Sequence, residues 1–396
     1  MRSNVYKALL LVGLLCLPPL ISGFRVPAAE NSPGQHRSET GIPGLAGERP
    51  GAGDLVIGLL VASLSEDDAF STSARQGAEL AVQLANASGG YQGKPYRLEV
   101  RSCEGPWGVT SREVVSMVYD EDALAIVSSA DGRNTHLAEQ VATKTQVLLL
   151  SAWSGDPTLS RAYVPWFYHC VPDDAQQADA LLHMVFQKKA HKKVVILVED
   201  SYDARMSADF MQKAVAKSGL PRIEHTTFEP GDKDSEAIAR KALASGPDAL
   251  ILLGESPICV KIVRYLQQLR PSLGLYGHLA LLRNPELVRA PGVEGMVFIS
   301  PEYWFSAVGK RFEAQFQKRY NRKPEVAAAY AFDAVNLIIE SVRSAGADRE
   351  SIRKGFPDIR FADGVTGPFR FNNLGVRDVP TSLFRVQGGS PAPVLP

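Results

Sequence analysis

The sequence predicts an α/β protein with two doubly wound lobes that share several crossovers. Short apolar runs, such as residues 56–61 and 249–255, are typical of strands buried on both faces of a parallel sheet. Segments with apolar residues at helical spacing lie between these runs, which indicates helices layered on parallel strands. The alternation starts again near residue 193, and two further helices return after residue 300. From this order of elements we expect two similar α/β layers that are joined by more than one crossover.

The first strand–loop–helix unit occupies residues 54–90 and sets the pattern for the rest. An apolar run predicts a strand at 56–61, and a loop rich in Ser, Asp and Glu follows it. Alanines and a valine then recur at helical spacing until Gly89 and Gly90 end the helix. In open parallel sheets, ligands bind in the crevice beyond the carboxyl ends of the strands. The loop at 62–73 is therefore the first place to look for a site.

The remaining elements continue the same alternation. Strands of the first layer are predicted at residues 96–104, 124–129, 147–151 and 166–171. Strands of the second layer are predicted at 193–200, 222–228, 249–255, 275–279 and 295–300, with helices between them. Late helices are predicted at 308–320 and 326–344. Residues 364–386 are predicted to form a hairpin with Gly375 in its turn, and 388–396 a Pro-rich tail.

Length and charge exclude some classes of partner. The chain has 396 residues and is 45% hydrophobic, which is enough to bury a large core divided between two lobes. Forty-three basic residues balance 43 acidic ones, so no global field favours nucleic acid or an anionic surface. We therefore expect no nucleic-acid partner.

The N-terminus is predicted to direct export. Two basic residues precede an apolar run at 8–21, and small residues follow near Gly23 and at Ala28–Ala29. This layout is that of a secretory signal at residues 1–29, and Pro18–Pro19 makes a spanning anchor the weaker interpretation. Residues 30–53 are rich in Gly, Pro and Ser and are predicted to be a disordered linker. We expect an exported protein, periplasmic or extracytoplasmic, that stays tethered to the membrane if the signal is not cleaved.

Enzyme and metal motifs do not occur in the sequence. It has no GxSxG elbow, Walker loop, HExxH or strand-linked GxGxxG, and its histidines lack metal-ligand spacing. Removal of the signal leaves Cys103, Cys170 and Cys259, which we expect to be buried thiols. We predict no cofactor, no metal and no enzymatic activity, although a Ser-His-Asp set assembled in space stays an open alternative.

Several stretches in fixed order resemble the type I periplasmic solute-binding proteins, specifically the branched-chain amino acid (Leu/Ile/Val-binding) receptors of ABC importers. The resemblance covers residues 54–386 and rests on IGLL at 57–60, RQGAELAVQLANASGG at 75–90, the segments at 149–157, 171–181 and 199–210, and TGPFRFNNLG at 366–375. It implies two Rossmann-like lobes joined by three hinge crossovers, near Val171, Ser300 and Thr366. Lobe 1 would comprise 54–172 and 301–365, and lobe 2 would comprise 173–300 and 366–387. A hinge would close the lobes on a ligand between them.

The resemblance implies that lobe 1 holds a ligand carboxylate with the loops after its third and fourth strands. The candidate residues there are Asp131, Gly132, Arg133, Trp153 and Ser154. Free backbone amides at a helix N-terminus favour binding of an anion. Arg133 either adds a bidentate contact to the ligand carboxylate, or it points to solvent or pairs with Asp131. Gly132 stands where the family commonly has a residue with a hydroxyl group. Trp153 stands where the family usually has a small residue, and it either stacks on a ligand or fills the cleft. These departures disfavour a standard aliphatic amino acid.

Lobe 2 contributes two further candidates. Tyr202 matches the tyrosine of the family's strand-end loop, with packing on its own helix as the alternative. Glu255 follows a buried strand and faces either a ligand ammonium or hydroxyl group, or only caps the next helix.

The sequence thus predicts a binding protein that captures a small polar organic ligand, amino-acid-like or carboxylate-bearing, for an ABC importer. Its partners would be that small molecule and a membrane permease, and we expect a monomer. A ligand-sensing receptor for a signalling partner and, less favoured, a hydrolase on the same scaffold are the alternatives.

Overall fold

The computed structural model describes residues 53–394. The predicted signal peptide and nearly all of the predicted linker lie outside the described residues. Two separate sheets dominate the described part of the chain, and we call the unit on each sheet a lobe. The expectation of two lobes rich in parallel strands is confirmed.

Lobe 1 is built on a five-stranded, wholly parallel sheet with the order β2-β1-β3-β4-β5. The strands are β1 (Leu55–Val61), β2 (Tyr96–Ser102), β3 (Ala125–Ser128), β4 (Leu148–Ser151) and β5 (Phe167–His169). Every residue of β1 is buried, with Ile57 opposite Leu98 on one side and Ala125 on the other. Its apolar run is therefore a consequence of a central position with helices on both faces.

Lobe 2 is built on a seven-stranded sheet with the order β12-β11-β10-β9-β8-β6-β7. Its parallel strands are β6 (Val194–Glu199), β7 (Glu224–Phe228), β8 (Ala249–Leu253), β9 (Gly274–Gly277) and β10 (Val297–Ile299). Two antiparallel strands, β11 (Leu383–Gln387) and β12 (Ser390–Pro393), complete one edge.

Helices cover both sheets, and late helices return to lobe 1. The early helices of lobe 1 are α1 (Ala69–Ala87), α2 (Val109–Tyr119), α3 (Gly132–Thr145) and α4 (Pro157–Arg161). Those of lobe 2 are α5 (Asp174–Leu182), α6 (Tyr202–Ser218), α7 (Ser235–Leu243) and α8 (Ile258–Leu269). The chain then forms α9 (Ala307–Tyr320), α10 (Val326–Ala345) and α11 (Arg349–Gly355). Helix α10 packs on α1 so closely that a Cβ on Gly77 would lie 2.1 Å from the Ala328 carbonyl oxygen.

Short irregular helices complete the described elements. A π-helical turn (His183–Lys188) continues α5, and 3₁₀ turns occupy Leu279–Arg283, Leu287–Arg289, Glu302–Trp304 and Phe356–Asp358. Among the residues from 53 to 394, no helix combines the length and apolar character that crossing a bilayer requires.

The C-terminal part differs from the expected hairpin and tail. Gly375, with φ of 71°, makes a turn closed by an isolated bridge between Phe371 and Arg377, but β11 pairs with β10 and β12 instead. Residues from 388 onward, expected to be a tail, include β12. Gly388 and Gly389 have φ of 58° and 69°, which matches a two-residue hairpin turn that follows the strand twist. The two glycines carry this turn signal, whereas the Pro-rich composition suggested only a tail.

The crossovers between lobes converge on a buried polar network. Pro172, Pro301 and Thr366 line one small cavity of about 120 Å³. Arg377 is only 3% exposed, and its guanidinium donates to the carbonyls of Cys170 (3.1 Å), Thr366 (3.0 Å) and Pro368 (3.0 Å). Arg377 therefore joins the first crossover to the third.

Asp333 on α10 anchors the third crossover from the other side. Its carboxylate accepts hydrogen bonds from the backbone amides of Val365 (2.8 Å) and Thr366 (2.7 Å) and from the Thr366 hydroxyl (2.7 Å). Burial raises the pKa of Asp333 to about 6, although these hydrogen bonds favour the ionised form.

Replacement of Arg377 by alanine should destabilise the fold. The variant leaves three buried carbonyl groups without their donor, so we expect a loss of about 3 kcal/mol or more in the free energy of unfolding. Urea denaturation followed by circular dichroism measures this loss. Arg370→Ala is the matched control, because Arg370 lies in the same segment with its side chain 58% exposed. Equal unfolding midpoints for the two variants would contradict the role assigned to Arg377.

Candidate functional site: the seam between the lobes

The carboxyl ends of strands from both sheets meet at one seam. The loops after β3 and β4 come from lobe 1, and those after β6 and β8 come from lobe 2. All seven predicted site residues lie on these loops or on the first turn of the helix that follows. The seam is the crevice expected for ligands in open parallel sheets.

Gly132 makes a direct hydrogen bond between the two lobes. It is the first residue of α3, and its backbone amide donates to Asp203 of lobe 2, 3.0 and 3.1 Å from the two carboxylate oxygens. A Cβ on Gly132 would lie 2.5 Å from Asp203 Oδ1, 2.9 Å from Ser154 Oγ and 3.0 Å from Tyr202 Cε1. The structure therefore brings Gly132, Ser154 and Tyr202 together around a residue that the sequence analysis missed.

Asp131 and Arg133 flank this glycine and act differently. Asp131 caps α3, with its side chain accepting from the Asn134 amide at 2.8 Å. The exposed Arg133 places its guanidinium 5.6 Å from the centre of the Tyr202 ring, within cation–π range. Arg133 is thus exposed, as the solvent alternative has it, and it also makes a contact with lobe 2 that the sequence analysis did not predict.

Tyr202 crosses the seam with its hydroxyl, which donates to Asp156 Oδ2 at 3.1 Å. Burial raises the pKa of Tyr202 to about 12, and the negative charge of Asp156 adds to the shift. The alternative that Tyr202 packs only on its own helix does not describe this position.

Asp156, which accepts the hydrogen bond from Tyr202, is favoured in its ionised form by its surroundings. It also contacts His136 Nε2 (3.0 Å) and accepts from the Thr158 amide (2.9 Å). Burial alone would raise the pKa of Asp156, but the hydrogen bonds from His136 and Thr158 outweigh it and lower that pKa. Burial opposes protonation of His136, whereas hydrogen bonds to Asp156 and Glu139 raise its pKa to about 9.

Trp153 and Glu255 belong to a second contact across the seam. Trp153 is only 4% exposed and packs edge-on against Phe70 of α1, with ring centroids 4.5 Å apart. The guanidinium of Arg283, from lobe 2, lies over the Phe70 ring, 4.6 Å from its centre. Arg283 also forms a salt bridge with Glu255, with an N–O distance of 3.3 Å. This geometry matches the filling alternative for Trp153.

Glu255 does not cap the next helix with its side chain. Glu199, at the end of β6, accepts the backbone amides of Glu255 (3.3 Å) and Ser256 (2.9 Å) instead. Burial raises the pKa of Glu255, and the nearby Glu199 adds to this, while Arg283 opposes it. The carboxyl group thus faces Arg283 and the seam.

Negative charge accumulates around Asp203. Burial raises the pKa of Asp203 well above its usual value, and the charges of Glu255, Asp131 and Asp174 raise it further. The Gly132 amide opposes this shift. A partly buried carboxylate beside three others is costly in free energy, which is typical of a functional site. The sequence signal was an acidic residue directly after Tyr202 in the first turn of α6.

Asp174 closes the seam near the first crossover. Its backbone amide donates to the Gly155 carbonyl at 2.8 Å, and its side chain accepts from Ser207 at 2.7 Å. Gly155 has no room for a side chain, because a Cβ there would lie 2.8 Å from Asp174 Oδ1. Burial raises the pKa of Asp174 to about 7.

None of the seven predicted residues lines the cavity of about 900 Å³ that the structure contains. Its walls come from lobe 2 around Pro285 and Arg289, from the start of α10 at Val326, and from Tyr303 and Trp304 after the second crossover.

Residues 53–394 contain no group of three His, Cys, Asp or Glu side chains placed to hold a metal ion. Cys103, Cys170 and Cys259 are free thiols, and burial raises the pKa of Cys103 to about 12. Burial lowers the pKa of His169 and of His278 to about 4, so both histidines are neutral near pH 7.

Two lobes that meet through helix N-termini and strand-end loops define a two-lobed solute-binding protein. The family model described as "Periplasmic binding protein" matches residues 54–390, and the chain belongs to this family.

Relatives and solved structures agree with this class. The chain is 21% identical to Leu/Ile/Val-binding protein homolog 3 of Brucella melitensis, over 85% of this chain and 92% of the relative. It is 27% identical to an amino acid binding protein of Pseudomonas aeruginosa, over 54% of this chain and 58% of that one. The fold resembles the branched-chain amino acid transporter substrate binding protein of Streptococcus pneumoniae, solved with isoleucine, with TM-score 0.74, 22% identity and coverage of 85% and 97%. It also resembles a Rhodopseudomonas palustris solute binding protein, solved with benzoate, with TM-score 0.75, 17% identity and coverage of 86% and 96%.

The pKa of Asp174 predicts how its contribution to stability depends on pH. The pKa is raised to about 7 in the fold from an ordinary value of 3.8, so the folded state binds more protons between these pH values. The stabilising contribution is complete below pH 3.8 and is lost as the pH rises through 7. The stability of the wild type relative to Asp174→Asn should therefore fall, on the order of 4 kcal/mol, between pH 4 and pH 8.

Urea denaturation at several pH values measures this difference. Asp179→Asn is the matched control, because Asp179 lies on the same helix and is exposed. A difference between wild type and Asp174→Asn that is constant with pH, as expected for the control, would show that Asp174 is ionised throughout.

Proposed function

We propose that this chain is the extracytoplasmic receptor of an ABC importer. It captures a small polar organic solute, amino-acid-like or carboxylate-bearing, between its lobes and presents the closed complex to a membrane permease. Export by the N-terminal segment places it outside the cytoplasm, and it stays tethered to the membrane if that segment is not cleaved. It acts as a monomer, without a cofactor and without nucleic acid.

The observation that carries this proposal is the set of contacts across the seam. The amide of Gly132 and the hydroxyl of Tyr202 both make hydrogen bonds from one lobe to the other. A helix N-terminus and a tyrosine hydroxyl are groups that recognise carboxylates and other polar atoms of a small solute. Closure would bury such a solute between groups that are already oriented, which reduces the entropic cost of binding.

Names of relatives support the class of solute. The relatives from Brucella melitensis and Pseudomonas aeruginosa are described as Leu/Ile/Val-binding and amino acid binding proteins. Identity near 20% does not transfer a particular amino acid, and the benzoate complex of a neighbouring fold widens the range to other carboxylates. In the proposed role, Asp131, Gly132, Arg133, Trp153, Ser154, Tyr202 and Glu255 surround the solute.

No bond in the solute is made or broken in this proposal. A thermal-shift screen of amino acids, their amides, carboxylates and aromatic acids identifies the solute, since a ligand at 100 times its Kd stabilises the fold by about 2.7 kcal/mol. Mass spectrometry of the solute after prolonged incubation tests the absence of turnover. Recovery of a converted product would favour the hydrolase alternative.

Tyr202→Ala should weaken binding of the solute found in that screen by about 10-fold or more, because it removes a hydroxyl and a ring from the seam. Isothermal titration calorimetry measures the affinity, and the unfolding midpoint should stay close to that of the wild type. Tyr119→Ala is the control, since Tyr119 lies on α2 and is 69% exposed. Equal affinities of the two variants would remove Tyr202 from the site.

A further inference from the structure

The edge of the lobe 2 sheet that lies opposite the seam is formed by the starts of its parallel strands. In this sheet β7, β6, β8 and β9 are consecutive neighbours. Ala249, the first residue of β8, lies opposite Val194 of β6 and Gly274 of β9, so these strands start at one level. The loops that enter them therefore lie side by side. We call this face the base of lobe 2 and define it by residues 188–193, 217–224, 241–248 and 270–273.

Basic side chains are concentrated at the base. Two further basic residues, Lys217 and Lys241, lie in the last turns of α6 and α7. The others lie in the loops or next to them and are Lys188, Lys189, Lys192, Lys193, Arg222 and Arg270. The acidic residues in the same ranges are Glu224 and Asp248. The base thus carries a strong positive charge in a chain whose net charge is zero.

These basic side chains have no salt-bridge partner within residues 53–394. The arginine and lysine salt bridges of lobe 2 lie elsewhere and involve Arg205, Lys213, Arg240 and Arg283. All the basic residues of the base are exposed except Arg270, which is partly buried. Their charges are therefore available to an external partner.

The few acidic groups do not neutralise the base. The carboxylate of Asp248 accepts the backbone amides of Lys192 and Lys193, at 2.9 Å each. In the next loop along the sheet, Glu294 accepts the Gly388 amide at 3.0 Å. Both carboxylates are thus used to fix loops, and Glu224 is left as the exposed acidic residue of the base.

Helix dipoles explain only part of this charge. Lys217 and Lys241 offset the negative C-terminal ends of α6 and α7. Lys192 and Arg222 lie in loops instead, each two residues before the first residue of a strand. A dipole effect falls off within the last turn of a helix, so it does not account for these two residues.

The form of the base favours a broad anionic surface as its partner. Among the described residues, those of the base line neither the cavity beside Pro285 nor the one beside Arg377. The exposed large apolar side chains, such as Trp107 and Tyr119, all lie outside it. The base thus lacks aromatic rings to stack on nucleic-acid bases, and most of its charges are lysines, which act as point charges. Anionic lipid head groups form an array that matches such a face.

We propose that the base of lobe 2 is an electrostatic docking surface for an anionic membrane. Its lysines and arginines contact lipid phosphates without inserting an apolar side chain, so docking is reversible and sensitive to salt. The six residues of β6, about 20 Å of strand, separate the base from the seam, which leaves the crevice free to open and close. This surface goes beyond the proposed solute-binding role and does not depend on the identity of the solute.

Vesicle sedimentation with the full chain tests the proposal. Vesicles of phosphatidylcholine are compared with vesicles of equal parts phosphatidylcholine and phosphatidylglycerol. The wild type should bind the anionic vesicles at least about 10-fold more tightly, and an increase of salt from about 0.05 M to about 0.5 M should release it. Equal binding to both kinds of vesicle would overturn the proposal.

Charge reversal identifies the face that binds. Lys189→Glu/Lys192→Glu should weaken binding to anionic vesicles by about 25-fold or more, because each lysine contributes about 5-fold. Lys233→Glu/Lys261→Glu is the matched control: it makes the same change in net charge on exposed positions of lobe 2 near the seam edge. The control should change binding less than about 3-fold, as expected for charges more than a Debye length from the membrane. Equal losses in the two double variants would overturn the assignment to the base.

Two further comparisons guard against other causes. The neutral variant Lys189→Gln/Lys192→Gln should also lose binding, and circular dichroism checks that each variant is folded. The N-terminal segment is the same in every variant, so differences between variants report the base alone. Tighter binding to a DNA duplex or to poly-L-glutamate than to the vesicles would assign the face to another polyanion and overturn the membrane as its partner.

Fluorescence quenching shows which face approaches the lipid. A fluorophore is attached to Ala216→Cys, near the end of α6, or to Ala314→Cys on α9 of lobe 1, both at exposed positions. The unsubstituted chain gives the background from native thiols. Quencher-labelled lipids in anionic vesicles should quench the label at 216 more strongly than the label at 314. Equal quenching at the two positions, or stronger quenching at 314, would overturn docking through the base.

Discussion

Parallel strands that end at one edge impose the organisation of the seam. In both lobes, buried strands such as β1 and β8 have apolar side chains on both faces, so polar chemistry is concentrated at the strand ends and in the loops that follow. Each loop leads into a helix whose first amides lack partners within that helix. Two such edges face each other across the seam. The contacts of Gly132, Tyr202 and Asp203 are consequences of this arrangement.

Buried charge is handled in opposite ways at the crossovers and at the seam. Asp333 accepts three hydrogen bonds from Val365 and Thr366, and Arg377 donates to three carbonyls. The charged groups of Asp333 and Arg377 are therefore held in rigid hydrogen-bond networks, which suit segments that connect the lobes. At the seam, Asp203 bonds to one amide and is surrounded by like charges. The contact of Asp203 with the Gly132 amide therefore costs less free energy to break than the contacts at the crossovers, and a binding protein needs contacts that a ligand can replace.

Much of this fold follows from local sequence patterns, whereas the central contact of the seam does not. Apolar runs and helical spacing locate β1, β8 and most of the helices, because burial of strands and helix faces determines those patterns. The resemblance to the family, rather than a local pattern, pointed to Gly132 and Tyr202, which begin α3 and α6. Asp203 was missed because its role depends on a partner 71 residues away, and no local pattern encodes that distance. The strand β12 was missed because two glycines supply its turn while two prolines suggest a tail.

Those two prolines have a consequence for association between molecules. Strand β12 is the outer strand of the seven-stranded sheet, and Pro391 and Pro393 lie opposite Val386 and Phe384 of β11. Proline has no backbone N–H, so this margin offers fewer donors to a strand from another molecule. The sheet thus ends in a boundary that resists strand-to-strand association with another molecule.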